Sequence, residues 1–130
     1  MPDTVTLHGI ENCEQVRRAR HWLRAHGVPF RFHDFRVDGL DEALLARWMG
    51  HLPWDSLVNR RSASWRQLDA SRRSHVVDQA TAMELLIEIP TLVKRPVLEV
   101  GDRIVVGFSE QLYGNLFEPP AAADGAAAER

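Results

Sequence analysis

Leu7-His8-Gly9-Ile10-Glu11-Asn12-Cys13-Glu14-Gln15-Val16 passes from strand to helix within a few residues, and the rest of the chain reads outward from it. Upstream, Thr4-Val5-Thr6-Leu7-His8 is β-branched and partly alternating, which predicts a short strand stopped at Gly9. Downstream, Asn12 is a good N-cap and Gln15 lies at capping-box spacing, so a helix is expected from about Cys13 to His26. Val16, Ala19 and Leu23 share its apolar face, and Gly27 ends it. Phe30-Arg31-Phe32-His33-Asp34-Phe35 then alternates aromatic and polar residues, the pattern of a half-buried second strand. Strand, helix and strand in this order make a βαβ unit.

The middle of the chain changes character. Asp38-Gly39 marks a turn, and Leu44, Leu45, Trp48 and Met49 form the stripe of a helix capped by Asp41. A further helix is expected from Ser71, carrying Val76, Val77 and Ala80, and another from a Thr81/Glu84 capping box ahead of Leu85, Leu86 and Ile87. Pro90 closes this helical segment, which runs over about residues 41–89. Val97-Leu98-Glu99-Val100, Gly101-Asp102 and Ile104-Val105-Val106 predict a hairpin with a two-residue turn. Ser109 caps a last helix with Leu112, Leu116 and Phe117. The order is β-α-β, helical insertion, β-β-α, which is a thioredoxin-like α/β fold. One domain is expected over 1–118, followed by an Ala-rich tail, 119–130, expected to be disordered.

Composition sets the limits. The chain has 130 residues, 45% hydrophobic and 26% charged, the balance of one soluble domain. A chain of this size buries roughly two-thirds of its unfolded surface and needs no covalent staple. Cys13 is the only cysteine, so an internal disulfide is excluded and a reducing, cytoplasmic setting is expected. No apolar run reaches the ~20 residues of a membrane helix, and the start of the chain lacks the pattern of a signal peptide. A net charge of −2 argues against general nucleic-acid binding, which depends on neutralising phosphates. The six histidines are not at metal-ligand spacing, and no metal site is expected.

Chemistry concentrates at Cys13. The start of a helix, with unpaired N–H groups and the positive end of the dipole, favours a thiolate over a thiol. At 100° per residue, Arg17, Arg20 and Arg24 fall within about 40° of Cys13 and form a cationic edge beside the core stripe. Val16 stands where Cys-x-x-Cys would place a second cysteine, so turnover needs an external thiol such as glutathione. Arg95-Pro96 enters the hairpin strand as a candidate cis peptide, and Asn59-Arg60-Arg61-Ser62 places further arginines on a loop. Trp22, Trp48, Trp54 and Trp65 read as core packing rather than base-stacking platforms.

These residues together resemble the family of ArsC-type arsenate reductases and Spx-type regulators, closest to its single-cysteine ArsC-like thiol reductases. The resemblance is carried by 7–13, by Arg17-Arg18-Ala19-Arg20, by 32–40, by Asn59-Arg60-Arg61, by Trp65-Arg66-Gln67-Leu68, by Lys94-Arg95-Pro96 and by Gly107-Phe108-Ser109-Glu110. It implies Cys13 as nucleophile, Arg95 as an anion-binding arginine before a cis proline (Pro96), and Arg61 as a loop arginine typical of the subgroup. Asn12, Arg17, Arg61, Arg95 and Pro96 are thus the expected substrate or glutathione contacts. Gly107 stands where arsenate reductases carry a third arginine, and Gly9 where they carry a histidine four residues before the cysteine. The expected protein is a monomeric, glutathione-dependent oxidoreductase acting on a mixed disulfide or an oxyanion such as arsenate, with glutaredoxin as a further thiol partner. The alternative from another class is an Spx-like regulator that binds RNA polymerase. Such regulators commonly use a Cys-x-x-Cys switch, which Val16 removes.

Overall fold

Alternation along β1 (Val5–Gly9) sends Val5 and Leu7 to one face of a sheet and His8 to the other, and the molecule is organised around this division. The computed structural model describes residues 4–117; the Ala-rich tail lies outside the described residues. β1 pairs in parallel with β2 (Arg31–Asp34) and antiparallel with β3 (Val97–Val100), which forms a hairpin with β4 (Arg103–Val106). The strand order is β2-β1-β3-β4. Gly101, with φ of 61°, supplies the left-handed residue of the hairpin turn.

Helix α1 (Glu14–Ala25) connects the parallel strands and buries Val16, Ala19, Trp22 and Leu23. These residues join Val5, Leu7, Leu98, Val100 and Tyr113 in one core, which α7 (Glu110–Phe117) completes. As expected, Ser109 caps α7: its Oγ accepts the Leu112 N–H at 3.0 Å. The opposite face carries the helical insertion. Here Leu45, Trp48, Leu57, Leu86, Leu92, Val97 and Ile104 form a second core. Full burial of such side chains contributes roughly 1.5–3 kcal/mol each before chain entropy is subtracted.

Several local boundaries differ from the sequence reading. Phe35 leaves the strand and opens a short helix, α2 (Phe35–Asp38), because the Asp34 carboxylate accepts the Arg36 N–H at 2.8 Å. Asp41 caps α3 (Glu42–Met49) as expected, through the Leu44 N–H at 3.0 Å. A helix α4 (Ala63–Arg66) is capped by Ser62, and α5 (Ala70–His75) starts from Asp69 rather than Ser71. α5 ends before Val76, so Val77 and Ala80 are exposed and belong to no stripe. The capping box of α6 (Gln79–Glu88) is Asp78 with Thr81, one turn before the expected pair. At α2, α3, α5 and α6 an aspartate holds the capping position, since a carboxylate accepts two N–H groups at once and suits the helix dipole.

Candidate active site

The end of β1 places Cys13. Its N–H donates to the Ile10 carbonyl at 3.2 Å, closing a tight turn through Glu11 and Asn12. Because that turn ends on Cys13, α1 begins only after it. Cys13, with extended backbone (φ −99°, ψ 130°), is therefore the N-cap, and its carbonyl accepts the Arg17 N–H at 2.9 Å. This corrects the expected cap: Asn12 lies exposed in the turn, and the Asn12/Gln15 capping box does not form. No side chain caps α1, so the Cys13 thiol is half-buried without being used as a capping acceptor. Glu14 complements the dipole in the first turn and holds Arg17 at 2.6 Å.

Val16 is fully buried directly beneath β1. A Cβ built on Gly9 would stand 2.6 Å from Val16 Cγ2, so the bare backbone of Gly9 and the branched side chain of Val16 fit only as a pair. A histidine side chain at position 9 has no room above this valine. Gly9→Ala is expected to destabilise the protein by about 2 kcal/mol, because Val16 is stiff at χ1 and packed on all sides. The double variant Gly9→Ala/Val16→Ala should lose less than the sum of the two single variants in denaturant melts; strict additivity would refute the steric coupling.

Pro96 reaches the same end of the sheet. The β1/β3 register pairs His8 with Val97, and continuing it by one residue sets Pro96 beside Gly9. The Arg95–Pro96 bond is cis, and the Pro96 carbonyl accepts the Gly107 N–H at 2.8 Å. Gly107, with φ of 86°, thus sits next to the proline. Arg95 is half-buried, and its Nη1 donates to the Thr91 carbonyl at 3.1 Å.

Arg61 is exposed on a loop stitched to the segment that leads into Arg95. Val58 bridges Val93, the Asn59 N–H donates to Leu92 O and the Lys94 N–H to Leu57 O, each at 2.8 Å. Asn59 Oδ1 accepts the Arg61 N–H at 3.1 Å, which fixes the loop. Asn12, Cys13 and Arg17 therefore share one helix end, and Pro96 lies beside Gly9, four residues before Cys13. Among the described residues, no hydrogen bond or ion pair joins Arg61 or Arg95 to the Cys13 turn.

Two features escaped the sequence reading. Arg60 lies over both Trp54 (5.8 Å) and Trp65 (5.6 Å), which holds the loop by cation–π contacts. The bracketing tryptophans were its only signal. The second is a polar cluster behind β1. His8, 2% exposed, lies 3.3 Å from Glu99 Oε2, and its ring is 5.0 Å from Trp48 and 4.8 Å from His33. Burial pushes His8 down to about 4, against the opposing pull of the Glu99 charge. Burial also acts to raise Glu99, but hydrogen bonds from Arg47 (2.7 Å) and Trp48 Nε1 (2.6 Å), with the nearby charges, hold it below the usual range. At neutral pH Arg47 is the counter-ion of Glu99, and His8 is uncharged.

A thioredoxin-like sheet with one half-exposed cysteine at the N-cap of its first helix, and a cis proline beside the end of β1, defines a single-cysteine domain of the thioredoxin-like class. Comparison with known proteins narrows this: the model of the ArsC family matches residues 8–116, and the chain belongs to that family. A solved structure of a YFFB protein is 39% identical, with a TM-score of 0.81, and the match covers 85% of this chain and 96% of that one. The solution structure of an arsenate reductase (ArsC) related protein from Brucella melitensis is 42% identical, with a TM-score of 0.71, over 88% of this chain and 95% of that one. The regulatory protein MgsR of Bacillus subtilis is 29% identical over 84% of this chain and 86% of its own length. Among the described residues, no helix is long and apolar enough to cross a membrane.

Proposed function

We propose that the protein is a glutathione-dependent thiol oxidoreductase that works through Cys13 alone. The observation that carries this reading is the half-exposed Cys13 thiol at the helix N-cap, with buried Val16 in place of a second cysteine. The likeness to an arsenate reductase related protein supports the same chemistry. The Cys13 thiolate attacks the glutathione sulfur of a mixed disulfide R–S–S–G, forming Cys13–S–S–G and releasing RS⁻. A second glutathione thiolate then attacks that adduct, releasing oxidised glutathione and restoring Cys13. The net exchange, R–S–S–G + GSH → RSH + GSSG, consumes one reduced glutathione, and no internal partner is required. Arg61 and Arg95 receive glutathione carboxylates or an oxyanion such as arsenate by charge-assisted hydrogen bonds, with Pro96 as the wall beside the sulfur.

The test is adduct formation on the folded protein. Oxidised glutathione should leave one glutathione on Cys13, visible as an intact-mass increase, and reduced glutathione should remove it. Arg61→Ala/Arg95→Ala should slow formation about tenfold while leaving the melting temperature within a few degrees. A folded protein that resists the adduct, while the unfolded chain accepts it, would refute the reading. The likeness to the regulatory protein MgsR favours one second reading, a regulator, for which RNA polymerase is the partner we propose. Retention of RNA polymerase by the immobilised protein, with no glutathione turnover, would establish that reading in its place.

A further inference from the structure

The four arginines of α1 divide between its two flanks. Arg18 lies over Phe108, which follows β4, at 5.9 Å, whereas Arg20 lies over Phe32 of β2 at 4.4 Å and Arg24 over Phe30 at 5.8 Å. Arg17, Arg20 and Arg24, with Glu11 and Asn12, line a cleft of ≈ 280 Å³ on the β2 flank. It starts at the Cys13 turn and runs away from it, on the opposite side of β1 from β3 and Pro96.

This cleft is not an ordinary solvated helix face. Like charges three and four residues apart on a helix repel one another, and among the described residues only Arg17 of this row has an acidic partner, Glu14. Arg20 and Arg24 have no ion pair among the described residues. Arg20 Nε is buried without a hydrogen-bond partner, so its guanidinium is held by the Phe32 ring rather than left free to follow solvent. Aromatic support of this kind fixes a cation in place while leaving its charge uncompensated.

Spacing then selects the ligand. At 1.5 Å per residue, Arg17 to Arg24 extends over roughly 10 Å of helix, beginning one turn from Cys13. A free oxyanion engages one or two of these cations at most. An extended peptide, at about 3.3 Å per residue, covers the whole row in three to four residues. We propose that the Arg17–Arg20–Arg24 cleft is the docking subsite for an acidic polypeptide, and that the oxidised substrate is a protein cysteine flanked by Asp or Glu. The inference rests on the thiol-reductase reading for its catalytic consequence, and on the cleft alone for binding. Glutathione and the substrate polypeptide would occupy opposite flanks of the sulfur, as an exchange between two thiol carriers requires.

The experiment uses two glutathionylated peptides of equal length, with the cysteine followed by a run of Glu or a run of Lys. The wild-type protein should deglutathionylate the acidic peptide with a kcat/KM about tenfold or more above the basic one, and the gap should narrow as salt is raised. Arg20→Glu/Arg24→Glu should invert the preference, a result that mere destabilisation does not produce. In parallel, a fluorescent Glu-rich peptide without cysteine is titrated into Cys13→Ser by anisotropy. Binding that is lost in Arg20→Glu/Arg24→Glu supports the subsite even if no peptide is turned over, in which case only the catalytic reading fails. Equal kcat/KM for both peptides, or Glu-peptide binding unaffected by the charge reversal, would overturn the inference.

Discussion

Cys13→Ser is expected to abolish glutathione adduct formation and all thiol-dependent turnover while leaving the fold at least as stable as before. The chain holds no other thiol, so no residual exchange can arise from a second cysteine. Stability should move the other way. Cys13 occupies the N-cap of α1 without making a capping hydrogen bond, and serine is among the best residues for that position. A serine hydroxyl there can accept a first-turn N–H and is expected to add about 0.5–1 kcal/mol. Intact-mass spectrometry after oxidised glutathione, with denaturant melts of both proteins, reads the two effects together. An activity that survives the substitution would remove the single-cysteine mechanism. A large loss of stability would show instead that the thiol is a packing group. A protein that keeps an inferior cap where a better one is available is giving up stability for chemistry.

The second large effect is acid lability centred on His8. Its folded value of about 4 lies below the 6.5 of an exposed histidine, so between these values the unfolded chain binds the proton that the folded one refuses. Stability is therefore greatest above about pH 6.5 and falls as the pH drops toward 4, by about 3 kcal/mol in total from this group. Glu99 adds to the fall at lower pH, because a carboxyl held below its ordinary value contributes stability that is lost on protonation. The facing groups (His33, Arg47, Glu99 and the Trp48 indole) all lie on β2, β3 and α3, so the cluster joins the sheet to the insertion. His8→Leu should flatten the stability profile between pH 6.5 and 4 in denaturant melts. A profile as steep as wild type's would locate the acid lability elsewhere.

The capping disagreements show where local reading fails. At Asn12 and Cys13 the sequence offers adjacent candidates for the helix start, and intrinsic preference favours asparagine. The Cys13 N–H to Ile10 carbonyl bond decides for cysteine, and that bond depends on how β1 is held in the sheet. Ser71 and Thr81 were the expected helix starts, and Asp69 and Asp78 hold the caps instead; choosing among neighbouring Ser, Thr and Asp needs the packing of α5 and α6. Phe35 alternates correctly for a strand and still turns into α2, because its ring is buried in the insertion's core near Trp48.

What the sequence determined by itself is the element order, the placement of the one thiol at a helix start and the absence of a second. These depend on period, turn residues and residue identity, all local in the chain. Tertiary structure alone decided the company that thiol keeps. The fit of Gly9 to Val16, the arrival of Pro96 beside β1, the stitching of the Arg61 loop to the Arg95 segment and the seating of Arg18 on Phe108 and Arg20 on Phe32 all join different elements. The buried His8–Glu99 contact spans β1 and β3 in the same way. No local pattern encodes such contacts. They form because each face of the sheet must bury its apolar side chains, and the register that achieves this also fixes where the polar groups meet.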